Sequence, residues 1–347
     1  MSRRRLLLWV ESDTPAWRIP DEGVEALRRD FPDVEVERAR TDEDLAAAIG
    51  DAEILFSWRP EDGVMARAKR LRWLHVPAAG AGAYLTPAFR ATGAALTSSR
   101  GAHAIPIAEH VIGSLISLAR EFPRALDEQR SARGMHREGW WTDEGMPHEL
   151  HGKTLGIFGY GLIGREVARR AACFGMRVIA LKRHPETPET WDESLLRAVG
   201  LPQEEPPVAA FLGPTGFNRL LEESDALVLS AALTPETEGR FDAAAFARMR
   251  RGVWFVNIAR GKLVREEAFA AAMRDGRIGG AALDVSAVEP LPRESELYTL
   301  DRVLLTPHVS AVSRGYWPRA LSLFSENLRR DARGEPLLNR VDPARGY

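Results

Sequence analysis

The sequence predicts an α/β protein made of two doubly wound parallel-sheet domains. Three observations predict it. At 347 residues the chain is too long for one ordinary core. Short apolar runs alternate with helical patterns in two separate series. A long, largely apolar helix pattern, residues 107–120, stands between the series. The composition, 45% hydrophobic and 28% charged, is that of a globular protein. A formal net charge of −2 gives no electrostatic reason to expect nucleic acid or an anionic membrane as partner.

In the first series, Leu6–Val10, Val34–Val36, Ile54–Trp58, Trp73–Val76 and Ala94–Thr97 read as strands. Val24–Asp30 and Asp42–Ile49 read as helices between them, the latter capped by Thr41 with Asp44 at the capping-box position. The helix 107–120 starts at Pro106 and ends before Pro123. Residues 129–151 read as an irregular surface arm. The second series has strands at Leu155–Phe158, Val178–Leu181, Ala226–Ser230, Val253–Ile258, Gly280–Val285 and Val303–Thr306. Its helices are Ile163–Phe174, Ala243–Met249 and Glu266–Asp275, and Arg319–Arg330 closes the chain. The proline-rich stretch 185–214 is expected to be a loop with at most one helix.

The basic start Met1–Arg5 followed by Leu6–Val10 has the outline of a secretory leader, but the apolar run stops at Glu11, too short for a leader core. No segment approaches the roughly 20 apolar residues that span a bilayer. The one cysteine, Cys173, leaves no disulfide partner and no zinc cluster, so no metal is expected; it reads as a small core residue of its helix. These points together fit a cytoplasmic protein.

The turn Gly159-Tyr160-Gly161-Leu162-Ile163-Gly164 follows a predicted strand and opens a predicted helix. Each glycine there meets a separate steric demand. Gly159 permits the tight turn, Gly161 lets a pyrophosphate approach, and Gly164 allows close packing of helix on strand. The alternative, a plain turn with incidental glycines, leaves that full pattern unexplained. A nicotinamide dinucleotide is therefore the expected cofactor. An NAD enzyme normally carries a carboxylate about 20 residues on, at the end of the second strand. Here Lys182 and Arg183 stand there, suited to a 2′-phosphate, so NADP is expected over NAD. The alternative is that both are ordinary surface charges.

Three later segments follow predicted strands at their C-terminal ends: Asn257-Ile258-Ala259-Arg260-Gly261, the run from Ala282 to Pro290, and Thr306-Pro307-His308. Ligands of open parallel sheets bind outside such ends. With the glycine turn, with Ser99-Arg100-Gly101, with Pro106-Ile107-Ala108-Glu109-His110 and with Leu233-Thr234-Pro235-Glu236-Thr237, these segments resemble the D-isomer-specific 2-hydroxyacid dehydrogenase family, glyoxylate/hydroxypyruvate reductases included. The likeness is strong over about residues 70 to 320.

The resemblance implies a Rossmann dinucleotide-binding domain, residues 104–311, inserted into a flavodoxin-like substrate domain, residues 1–103 and 312–347. It implies that Arg260 grips the substrate carboxylate and polarises the keto oxygen, that His308 is the general acid and base, and that Glu289 orients His308. Ile258 and Asp284 are implied on the cofactor side, although Asp284 reads equally as a structural carboxylate. The substrate's carboxylate is implied to meet backbone amides of the Pro77–Ala81 loop, at Ala79, Gly80 and Ala81; the alternative is a merely flexible turn. A small 2-keto or 2-hydroxy acid and a homodimer complete the expectation. His103, His110, His136, His148 and His151 are read as structural. The sequence departs from the family's usual pattern at Ala232, at Ser286, over residues 309–313 and in the long stretch 185–216, which leaves the acid unnamed. A dinucleotide-sensing, corepressor-like binding module on the same fold is the competing reading.

Overall fold

The computed structural model describes residues 3–58, 61–131, 137–143, 146–187 and 191–343. The chain divides into two compact units: Met1–His103 with Thr190–Gln203 and Val312–Tyr347, and Ala104–Glu189 with Glu204–Ala311.

The first unit holds strands β1 (Arg4–Trp9), β2 (Val34–Arg38), β3 (Ile54–Ser57), β4 (Trp73–Val76) and β5 (Ala95–Ser98), all parallel, in the order β2-β1-β3-β4-β5. That is the flavodoxin-like order. Because strand side chains alternate, Leu6, Leu8, Ile54, Phe56 and Trp73 pack on one face while Leu7, Leu55 and Leu74 pack on the other. The first face is covered by helix Tyr316–Arg333, which lays Tyr316, Trp317 and Phe324 on it. Thr41 and Asp44 form the capping box expected of them.

The second unit holds β6 (Thr154–Phe158), β7 (Arg177–Leu181), β8 (Ala210–Leu212), β9 (Ala226–Leu229), β10 (Val253–Asn257), β11 (Ile278–Leu283) and β12 (Val303–Leu305). They are parallel and ordered β12-β11-β10-β9-β6-β7-β8, the dinucleotide-binding order with a seventh strand added. The order reverses between β6 and β9, so the glycine turn after β6 stands at the switch point where such sheets bind ligands. Helices Ala104–Ala119 and Leu162–Cys173 cover one face; Phe241, Phe246 and Phe269 pack on the other.

Several sequence expectations are corrected. The stretch 185–214 contains a strand, β8, as well as helix Glu193–Ala198; three residues pairing with β7 alone give no periodicity to read. That helix lies in the first unit, where Asp192 caps it and pairs with Arg330 at 2.9 and 3.1 Å. Pro123 and Pro318 sit inside the first turns of helices Phe122–Ser131 and Tyr316–Arg333, where proline costs no hydrogen bond. The arm therefore starts as a helix; its residues 132–136, with His136, and 144–145 lie outside the described set. Cys173 is exposed. It stands two residues past buried Ala171, about 200° further around the helix.

Candidate active site

The glycine turn fits a dinucleotide at each glycine. Gly159 has φ +98°, and a Cβ there would fall 2.6 Å from the Ala231 backbone, so only glycine closes the turn. A Cβ on Gly164 would lie 2.5 Å from the Gly159 carbonyl, which is the close helix packing expected. A Cβ on Gly161 would meet nothing within 4 Å: this residue borders open space. Gly161 is also the N-cap of helix Leu162–Cys173, and no side chain caps that end or places a negative charge in its first turn. The first N–H groups and the positive end of the helix dipole are thus presented to an anion.

Around the turn, Tyr160 is buried edge-on against Phe211 and its hydroxyl approaches Glu205, while Leu162 is buried and Ile163 packs partly into the core. Lys182 is buried, its ammonium 2.6 Å from the Thr187 carbonyl and 4.5 Å from the Phe211 ring centre. Arg183, by contrast, is exposed at the end of β7. The Glu236 carboxyl is held below its usual range, chiefly by the Thr234 side chain and in smaller part by the charge of Arg183.

The three remaining loops leave β10, β11 and β12, which are adjacent and in register: Asn257 pairs with Leu283, and Leu283 with Leu305. At about 4.8 Å between strands they issue from roughly 10 Å of one sheet edge, the edge that also carries Gly159. Buried Asn257 shapes the first loop. Its carbonyl accepts from Ala259 N at 3.0 Å and its amide donates to Arg260 O at 3.1 Å. Ile258 is buried beside it and Arg260 is exposed, with its guanidinium 2.6 Å from the Ala259 carbonyl. A Cβ on Gly261 would collide with the Ser286 backbone, so the first and second loops touch.

Asp284 is 1% exposed and anchors the third loop. It accepts from Thr306 Oγ1 (2.6 Å), Val309 N (2.9 Å) and Ser310 N (3.0 Å), while its carbonyl accepts from His308 N at 2.9 Å. These bonds hold His308 at φ +54°, a left-handed conformation that costs a non-glycine residue about 1 kcal/mol or more. His308 Nδ1 then stands 2.8 Å from Glu289 Oε2, and Glu289 Oε1 accepts from Ser286 N at 3.2 Å. His110 reaches the same loop, its Nε2 3.4 Å from Thr306 Oγ1.

Arg260, Asp284, Glu289 and His308 therefore share one edge with the glycine turn and Ile258. Ala79, Gly80 and Ala81 follow β4 of the first unit, with Gly80 exposed and Ala81 buried. Sequence reasoning gave no role to Asn257 or Thr306, although an Asn opening a turn and a Thr two residues before the His are both side chains able to brace backbone.

A glycine turn at the switch point of a parallel sheet, with an Arg and a His–Glu pair on the same edge, defines the class: a dinucleotide-dependent dehydrogenase. The model of the D-isomer specific 2-hydroxyacid dehydrogenase NAD binding domain matches residues 112–310, more than half of the chain. The chain is 33% identical over 325 residues to glyoxylate reductase of Pyrococcus furiosus, covering 91% of each protein. It is 31% identical over 313 residues to D-3-phosphoglycerate dehydrogenase of Methanocaldococcus jannaschii, covering 89% of this chain but 55% of that one. Among solved structures, a D-isomer specific 2-hydroxyacid dehydrogenase from Xanthobacter autotrophicus Py2 in complex with NADPH and MES superposes with TM-score 0.77 at 29% identity, covering all of both chains. The chain belongs to the D-isomer specific 2-hydroxyacid dehydrogenase family, and its second unit is an NAD(P)-binding domain. Relatives that are reductases and dehydrogenases favour an enzyme over a dinucleotide-sensing module.

Proposed function

We propose that this protein reduces a small 2-keto acid of the glyoxylate or hydroxypyruvate class to the D-2-hydroxy acid, with NADPH as reductant. The observation that carries the reading is the His308–Glu289 pair, 2.8 Å apart, on the sheet edge that carries the glycine turn. NADPH, when bound, supplies the hydride that reduces the keto carbon. The uncapped helix after Gly161 holds its pyrophosphate, and Arg183 pairs with its 2′-phosphate. Lys182 is the weaker half of the notional cationic pair, because its ammonium is already turned to Thr187.

Arg260 pairs with the substrate carboxylate and draws electron density toward the keto oxygen. His308, with Nδ1 engaged by Glu289, presents Nε2 and delivers a proton to that oxygen, completing the hydroxyl. Glu289 fixes the ring's orientation, and its charge stabilises the ring while it carries the proton. Asp284 serves as the structural carboxylate of the two readings, holding the His308 loop. The Pro77–Ala81 loop of the first, substrate-binding unit supplies amides for the substrate's anionic group.

The proposal includes a cytoplasmic homodimer. Phe122, Leu126, Trp141 and Met146, exposed on and after the Phe122–Ser131 helix, are apolar surface that a second copy would cover. Assaying a panel of 2-keto acids with NADPH and with NADH tests the function. Turnover with the smallest acids and NADPH supports it, and no turnover with any acid refutes it.

A further inference from the structure

Beneath the Pro77–Ala81 loop the first unit buries a line of polar groups that the proposed chemistry leaves unused. Trp73 Nε1 lies 2.7 Å from Thr97 Oγ1, which lies 2.7 Å from His75 Nδ1. His75 Nε2 is 3.0 Å from Ser99 Oγ. Burial raises the Tyr316 phenol, the Ser99 hydroxyl acts on it as a donor in the opposite direction, and Tyr316 Oη lies 2.6 Å from the Pro77 carbonyl. His75 is wholly buried among Phe56, Trp73 and Phe324, and burial pushes it down to about 3, so the ring is neutral and carries one proton.

The direction of every bond follows. The Pro77 carbonyl has no proton, so Tyr316 donates to it. Tyr316 then accepts from Ser99, and Ser99 accepts from His75 Nε2–H. Nδ1 is left bare to accept from Thr97, which accepts from the indole N–H of Trp73. These four contacts, with the donation from Ser99 to Tyr316, use five protons, one each. The opposite His75 tautomer leaves Ser99 and Tyr316 with no proton between them.

The last bond matters most. A trans peptide is planar with its C=O and N–H opposed, so holding the Pro77 carbonyl from below turns the Ala78 N–H the other way. Aligned donors also polarise one another. The loop is tied a second time by Ser99 N, 3.0 Å from both the Val76 and Ala78 carbonyls. The Tyr316 ring is fixed by stacking on His103, centres 4.6 Å apart and planes 7° apart.

We propose that Trp73, Thr97, His75, Ser99 and Tyr316 form a positioning relay that fixes the Pro77–Ala78 peptide so that the loop's amides stay aimed at the substrate's anionic group. This rests on the loop's role in the proposed function. Tyr316→Phe keeps the ring and its stacking and removes only the terminal bond. It is expected to raise KM for glyoxylate about fivefold, with kcat and NADPH affinity retained, and to weaken oxamate binding to NADPH-loaded protein by the same factor. Ser99→Ala, which cuts the relay one step earlier, is expected to do the same should the phenylalanine variant fold poorly. His75→Gln, which keeps a donor and an acceptor, is expected to restore more of the wild-type KM than His75→Leu. Nitrogen NMR of the wild-type protein is expected to find His75 protonated at Nε2. Unchanged KM and oxamate affinity in variants of lowered melting temperature, or a proton on Nδ1, would overturn the relay. A wild-type protein that reduces no 2-keto acid sinks the proposed function instead; oxamate affinity and the His75 tautomer then still decide the relay.

Discussion

Glu289 Oε2 and His308 Nδ1 stand 2.8 Å apart, joined from loops that leave neighbouring strands β11 and β12. The contact exists because the backbone at His308 is held left-handed, and Asp284 is what holds it: three hydrogen bonds to its carboxylate and one to its carbonyl fasten residues 306–310. The pair proposed to handle the proton is thus positioned by a second carboxylate, Asp284, that need not touch a ligand.

Replacing that carboxylate should cost stability and activity together. Asp284→Ala leaves the Thr306 hydroxyl and two amides without their acceptor, and is expected to lower unfolding stability by about 3 kcal/mol. Asp284→Asn should cost less. Urea denaturation measures both; an alanine variant within about 0.5 kcal/mol of wild type contradicts the assignment.

The two glycines of the turn should separate folding from binding. Gly161→Ala places its methyl in open space, so the fold should persist while NADPH affinity falls about tenfold or more. Gly159→Ala meets both a φ of +98° and the Ala231 backbone, and should yield an unstable protein. Calorimetry with NADPH titration distinguishes them. Equal behaviour of the two variants would remove Gly161 from the cofactor site.

Cofactor preference should rest on Arg183 more than on Lys182. Arg183→Ala is expected to lower NADPH affinity about tenfold and leave NADH affinity unchanged. Lys182→Ala should lower the melting temperature instead, since its ammonium is spent on the Thr187 carbonyl. An NADPH-to-NADH ratio unmoved by Arg183→Ala contradicts the proposal.

Much of this was legible because the strands are buried on both faces and read as apolar runs, and because Gly159 and Gly164 answer steric demands that no other residue meets. Arg260, Glu289 and His308 stood out because their segments follow predicted strands and resemble the family's motifs. Of the groups that brace them, Asp284 was readable as a structural carboxylate, one of its two readings, but the loop it fastens, residues 306–310, was not; Asn257 acts through backbone groups of its own loop, and a loop's shape is absent from periodicity. Lys182 shows the same limit. Its place in the sequence matches a phosphate-binding position, yet the fold buries it over Phe211. Strand β8 was missed because three edge residues carry no pattern.

Acid stability should depend on His75. Its folded value of about 3 lies below its ordinary 6.5, so between those values the unfolded chain binds the extra proton. Its contribution is complete above about pH 6.5 and is lost progressively as pH falls toward about 3. Denaturation across that window should fall less steeply for His75→Gln than for wild type; parallel curves would contradict a neutral buried ring.

The central claim is that His308 moves the proton in a reaction whose reductant is bound elsewhere on the same edge. Single-turnover reduction of glyoxylate by pre-bound NADPH, comparing wild type with His308→Ala, tests it most directly. The account predicts a rate lower by about a hundredfold to ten-thousandfold in the variant, with the NADPH dissociation constant unchanged. A variant that turns over at the wild-type rate, or one that loses NADPH binding along with turnover, would contradict it.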